Sequence, residues 1–338
     1  MTVAPLDTTT ADPSAATASG SNSAGEWIDV QVASVEHPAR DVVLLRLRSA
    51  DGTALPAWTP GSHVDVELEP ETIRQYSLCG TAGDDEWSVA VLLEPDGRGG
   101  SQLAHQLAVG DRVRVRGPRN NFALAPAERY VFIAGGIGVT PILPMIREVH
   151  ARGAQWTLHY GGRTRDRMAF AGDLVEQYGE NVVVYPEDEV GRIDISGIID
   201  GADGDTFVYC CGPSGLLDAA ESAASELGCG TLRVERFHGD GQGATRPGDV
   251  AFDVECSISG ITVTVAEDET ILDALERVGG VVIASSCREG TCGTCEAGVL
   301  EGVPDHRDSI LTAEECRAGD VIMTCVSRAQ SPKLVLEL

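Results

Sequence analysis

The chain has 338 residues, 43% of them hydrophobic, and 25 Lys and Arg stand against 52 Asp and Glu for a formal net charge of −27. Such a length suits two or three domains with cores of their own. The acidity excludes a nucleic-acid binder or a protein drawn to anionic membranes, and leaves open a partner protein with a basic docking face or a role in solubility alone.

No apolar run reaches the roughly 18 residues that a membrane span needs. Residues 1–25 have neither the basic nor the apolar region of a secretory signal and are rich in Thr, Ala and Ser, so they read as a disordered tail. A cytoplasmic protein is expected. Its ten cysteines then point to metal ligation or reduced thiols before disulfides.

Residues 26–125 alternate with period two, as in His63-Val-Asp-Val-Glu-Leu68 and Arg112-Val-Arg-Val-Arg116. Turn signals separate these runs, so the spacing predicts a small antiparallel barrel. Within it, Arg74-Gln-Tyr-Ser-Leu78 places an arginine, an aromatic ring and a hydroxyl on one strand, a set that can serve a flavin or be ordinary strand residues. Gly97-Arg-Gly-Gly-Ser101 precedes a short helical pattern and suits a phosphate, though a plain hairpin loop has the same composition.

Residues 126–238 alternate apolar strands with helical patterns, the signature of a parallel α/β sheet. Ala134-Gly-Gly-Ile-Gly-Val-Thr-Pro141 joins a buried strand to a helix. Its glycines let backbone approach a pyrophosphate, with the helix N-terminus supplying N–H groups. Cys210-Cys211-Gly212-Pro213 ends another strand, where ligands bind in open α/β sheets; an ordinary turn or an adjacent-cysteine disulfide remains open. Arg163 and Arg165 could grip a 2′-phosphate and favour NADPH, whereas Asp166 and Asp173 could meet a ribose hydroxyl and favour NADH. Residues 239–248, polar and glycine-rich, read as a flexible linker.

The last block, 249–338, carries Cys287, Cys292 and Cys295 with Cys325 far downstream. The spacing C-x4-C-x2-C with a distant fourth cysteine matches plant-type [2Fe–2S] ferredoxins. A zinc site favours two short pairs, and only Cys292/Cys295 is one. The remaining cysteines read as buried thiols.

These motifs, with Met323-Thr-Cys-Val-Ser-Arg328, occur in an order that resembles the phthalate dioxygenase reductase family of the ferredoxin–NADP reductase superfamily, over about residues 26–338. The resemblance implies an antiparallel flavin-binding β-barrel, an α/β parallel-sheet nicotinamide-binding domain and a C-terminal α+β plant-type ferredoxin domain of the β-grasp type. It implies FMN, with Arg74, Gly99, Gly100 and Ser101 at the phosphate, Tyr76 on the ring and Ser77 near flavin N5. Gly135, Gly136, Gly138 and Thr140 would line the NAD(P)H pyrophosphate site. Gly212 and Pro213 would lie there too, Cys211 beside the nicotinamide, and Phe237 over the other flavin face. Cys287, Cys292, Cys295 and Cys325 would hold the [2Fe–2S] cluster.

The implied activity is electron transfer from NAD(P)H through FMN and the cluster to a separate oxygenase. A Rieske-type aromatic oxygenase is favoured, with a haem monooxygenase, a general flavin or ferric reductase, or a zinc-stabilised nucleotide sensor as alternatives. A monomer is the simplest expectation.

Overall fold

The computed structural model describes residues 26–70, 72–202, 204–239 and 244–338. The tail read at 1–25 and residues 240–243 of the linker lie outside the described residues.

Strands β1 (Ile28–Ala39), β2 (Val42–Ser49), β3 (His63–Glu69), β4 (Thr72–Ser77), β5 (Trp87–Leu92) and β6 (Arg112–Arg119) form one antiparallel sheet in the order β4-β3-β6-β1-β2-β5. The period-two pattern sets which face is inward: Val113 and Val115 are buried, while Arg112 and Arg114 between them face solvent. The two end strands approach where Leu78, just past β4, bridges Val89, which curls the sheet into a half-barrel. Helix α1 (Gly100–Gln106) follows the glycine loop.

The second sheet is wholly parallel. Its chain order is β7 (Arg129–Gly135), α2 (Val139–Ala151), β8 (Gln155–Gly162), α3 (Ala171–Tyr178), β9 (Val182–Pro186), α4 (Glu187–Val190), α5 (Ile195–Asp200), β10 (Thr206–Cys211), α6 (Ser214–Leu227) and β11 (Leu232–Glu235). The spatial order β11-β10-β7-β8-β9 reverses direction between β7 and β10. Ligands of open α/β sheets bind at such a switch point, outside the strand C-termini; here those ends are Gly135 and Cys211.

The third sheet combines β12 (Phe252–Cys256), β13 (Ile261–Val265), β14 (Glu296–Glu301), β16 (Val321–Met323) and β18 (Lys333–Leu336) in the order β13-β12-β18-β14-β16; β15 (Pro304–Asp305) pairs with β17 (Arg328–Ala329). Helix α7 (Ile271–Val278) starts where the Thr270 hydroxyl accepts from the Asp273 N–H, an N-cap worth about 1 kcal/mol. Its Ile271, Leu272, Ala274 and Leu275 are buried, and each large side chain contributes about 1.5–3 kcal/mol. Helix α8 (Ala313–Ala318) opens on a capping box between Thr312 and Glu315.

The barrel and the α/β sheet share a buried cluster in which Val42, Leu44 and Phe122 pack with Phe132, Tyr160 and Tyr209. The third domain has clusters of its own. Arg307 fastens the segment before β12 to it, pairing with Asp249 at 2.6 Å and donating to the Ala244 carbonyl at 2.9 Å. Ala244, inside the stretch read as linker, thus lies on the ferredoxin side. Among the described residues no helix is long and apolar enough to cross a membrane.

Candidate active site and cluster loop

Three loops converge on the edge of the barrel. On β4, the Arg74 guanidinium donates to the carbonyls of Ile73 (2.8 Å) and Arg98 (2.7 Å), so its stem lies across Gly100. Gly99 takes φ +81°, a left-handed conformation that costs glycine little. Arg74 and a backbone turn free of side chains make an anion cradle, the chemistry an FMN phosphate needs. The Ser101 hydroxyl is already engaged, accepting from the Glu94 N–H at 3.0 Å; it closes the loop. Tyr76 is half-buried against the barrel core, and burial lifts its phenol well above the ordinary value.

At the switch point the two nicotinamide motifs are packed backbone to backbone. A β-carbon on Gly138 would lie 2.3 Å from the Cys211 carbonyl, and one on Gly135 would lie 2.7 Å from Pro213 Cδ. A β-carbon on Gly212 would come 2.9 Å from Gly135 Cα. These three glycines let adjoining turns touch, while Gly136, at φ +53° with open space beside it, faces outward. The buried Thr140 hydroxyl donates to the Ile137 carbonyl at 2.9 Å and holds the turn itself. Arg165 is committed to Glu189 by two hydrogen bonds, of 2.8 and 3.2 Å. Arg163 is exposed and has no side-chain partner among the described residues. Asp166 accepts from Thr164 and pairs with Arg40. Asp173 lies in the first turn of α3.

Between barrel and sheet, the ends of β4, β10 and β11 bring Ser77, Cys211 and Glu235 together. The Glu235 carboxyl is approached by the Ser77 hydroxyl and by the Cys211 thiol, whose Sγ lies 3.9 Å from Oε2. Burial pushes Glu235 up to about 8, against the pull of those two groups. Burial first, and then the Glu235 charge, pushes the Cys211 thiol up, so it is a neutral thiol. Glu235 escaped the sequence reading. Its only signal there was its place at the end of a strand, since its partners come from other strands. Phe237, just beyond, packs against the cluster joining the two domains. Cys210 and Cys211 are both free thiols.

The four predicted cluster ligands converge. Cys292, Cys295 and Cys325 are buried and Cys287 half-buried. The Cys287 thiol is held well below its ordinary value by hydrogen bonds, the largest from Cys292 and the next from Cys325. Backbone N–H groups also point at sulfur: Glu289 and Thr291 at Cys287 Sγ (3.3 and 3.4 Å), and Thr294 at Cys292 Sγ (3.5 Å). Positive φ at Arg288, Gly290 and Gly293 bends the loop so that these groups face inward. Four cysteine sulfurs ringed by amide donors fit a [2Fe–2S] cluster, whose charge such donors stabilise.

The comparisons agree with this geometry. An oxidoreductase NAD-binding domain model matches residues 132–222, and a 2Fe-2S iron-sulfur cluster binding domain model matches residues 254–330. The chain is similar to a toluene-4-sulfonate monooxygenase system reductase subunit of Comamonas testosteroni, 38% identical over 92% of this chain and 99% of that one. It also resembles a solved phthalate dioxygenase reductase at 32% identity, with a TM-score of 0.67 over 92% of this chain and 98% of the other. An intact type IV self-sufficient cytochrome P450 monooxygenase matches at 45% identity and a TM-score of 0.86, over 92% of this chain. This chain spans 41% of that longer protein. The chain is therefore an oxidoreductase of the phthalate dioxygenase reductase family, built to carry FMN, a nicotinamide cofactor and a [2Fe–2S] cluster.

Proposed function

We propose that this chain takes electrons from NAD(P)H and delivers them singly to a separate oxygenase, a Rieske-type aromatic oxygenase or demethylase, as a cytoplasmic monomer. FMN, when bound, would supply the chemistry that divides the electron pair of a nicotinamide hydride into single electrons for the cluster. The observation that carries this reading is the seating of the cluster loop on the flavin barrel: Arg98 Nη1 donates to the Cys287 carbonyl at 3.2 Å and Asn121 Nδ2 to the Cys292 carbonyl at 3.1 Å.

The domain limits we assign are 26–125, 126–238 and 249–338. Arg74 with the Gly99–Ser101 turn anchors the flavin phosphate. The turn at Gly135–Thr140, with Gly212 and Pro213, supports the pyrophosphate. Two such anchors fix the reacting rings in register, which is the protein's main contribution to hydride transfer. Ser77 and Cys211 are the residues nearest the transfer. Glu235, protonated at neutral pH, holds a proton behind both of them.

The similarity to the reductase subunit of an aromatic sulfonate system supports the choice of partner. A second reading, a haem monooxygenase as partner, is supported by the identity with the self-sufficient P450. Anaerobic mixing with NADH or NADPH tests the relay: flavin absorbance should bleach and a reduced-cluster paramagnetic signal should follow, and Cys292→Ser should abolish the second event alone. Reconstitution with purified Rieske and haem oxygenases, scored by coupled substrate oxidation, decides the partner.

A further inference from the structure

The ferredoxin domain is fixed to the rest of the molecule differently from the way the other two domains are fixed to each other. The barrel and the α/β sheet share a buried apolar cluster, whereas among the described residues no such cluster joins either of them to the third domain. The named contacts there are polar. Ser286 Oγ donates to Asp65 at 3.0 Å, and Arg98 and Asn121 donate to the carbonyls of two cluster ligands.

Glu289 sits where all three domains meet. Its Oε1 lies 2.8 Å from Arg98 Nη2 on the barrel. Its Oε2 accepts from the Gly239 N–H at 3.3 Å and lies 3.9 Å from His238 Nδ1, where the α/β domain passes into the linker. A β-carbon on Gly239 would lie 2.8 Å from the Glu289 carbonyl, so the chain passes too closely for a larger residue. Arg98 also accepts, through its own carbonyl, from Arg74. A chain of hydrogen bonds thus runs from the phosphate arginine through Arg98 to the Cys287 peptide, and Glu289 holds the Arg98 guanidinium in place.

We propose that Glu289 is a positioning residue that docks the cluster loop on the flavin barrel, in a contact weak enough to open so that the same loop face can meet the oxygenase. This rests on the relay proposed above. The Arg98–Glu289 pair is partly exposed, at 55% and 29%, and exposed pairs contribute little and are screened by salt. With no shared apolar cluster behind it among the described residues, such an interface forms and releases readily. In the docked state Arg288 is the one exposed residue of the loop 286–296, and the others are half-buried or buried, so a partner has little of the loop to meet.

The test uses the full chain with its flavin and cluster, comparing wild type, Glu289→Ala and Glu289→Gln at equal cluster content. Flavin bleaching, the reduced-cluster paramagnetic signal and the radius of gyration in solution are followed together. Glu289→Ala should bleach flavin at the wild-type rate, reduce the cluster about threefold to fivefold more slowly and expand the molecule. Wild type at about 1 M salt, where screening shortens to about 3 Å, should do the same, and Glu289→Gln should fall between. The backbone N–H of Glu289 still reaches Cys287 Sγ in both variants, so the cluster's own bonds are preserved. Wild-type cluster reduction and unchanged dimensions in Glu289→Ala would overturn the proposal. A wild type whose flavin bleaches while its cluster never reduces would instead sink the relay itself.

Discussion

Gly100 lies directly beneath Arg74: a β-carbon there would stand 2.5 Å from both Cγ and Nε of the arginine. The contact ties the last glycine of the loop to the orientation of the guanidinium. Gly100→Ala must displace Arg74 from the Arg98 carbonyl and tilt the cradle. The expected result is a loss of FMN affinity of about tenfold or more, equal to about 1.4 kcal/mol, with thermal stability nearly unchanged. Fluorescence titration of the apoprotein with FMN checks it.

Asp65 is fully buried and accepts from Arg116 (3.0 and 2.8 Å), Arg119 (2.6 Å), Gln75 (3.0 Å) and Ser286 (3.0 Å). Burial acts to raise its carboxyl, but the Arg119 charge and the hydrogen bonds prevail and hold it below the usual range. The folded value lies below the unfolded one, so its stabilisation is complete above about pH 4 and is lost as pH falls through the folded value. Asp65→Asn leaves two buried guanidinium groups short of a countercharge and should cost about 3–5 kcal/mol. Denaturant melts at pH 7 measure this, and the deficit should shrink on acidification.

Glu235 has the opposite sign. Its folded value of about 8 lies above that of an unfolded chain, so folded protein holds the proton more tightly. That contribution is whole below about pH 4.3 and is lost as pH rises through 8. Glu235→Gln, which is neutral throughout, should gain on wild type across this window, by a few degrees in melting temperature at pH 9. Parallel melting curves from pH 5 to 9 decide it; a constant difference between the two proteins would refute the assignment.

Among the described residues Arg163 has no side-chain partner, whereas Arg165 is tied to Glu189. A guanidinium gripping a 2′-phosphate forms charge-assisted bonds of about 1.5–3 kcal/mol. Arg163→Ala should therefore weaken NADPH binding about tenfold or more and leave NADH binding unchanged, whereas Arg165→Ala should do less to NADPH. Equilibrium titrations with both nucleotides separate these outcomes.

The chain by itself determined what depends on neighbours along it. The spacing of Cys287, Cys292 and Cys295, the glycines at the strand–helix turns and the alternation of valines in β3 and β6 are local patterns. Each encodes its geometry within about ten residues, because pleat, turn and thiolate spacing are short-range constraints. Even there, the motif glycines hid a division of labour: Gly135 and Gly138 serve the contact with the loop 211–213, and Gly136 alone faces outward. Only the tertiary structure decided the pairings across long separations. Ser286 reaches Asp65 across 221 residues and Arg98 reaches Cys287 across 189. Glu235 joins Ser77 and Cys211 from a third strand, and Arg165 is taken by Glu189. Asp, Glu and Arg are abundant in so acidic a chain, and no local period marks which of them will meet. Burial selects Asp65 and Glu235, by making an unpaired polar group too costly once the sheets close around it.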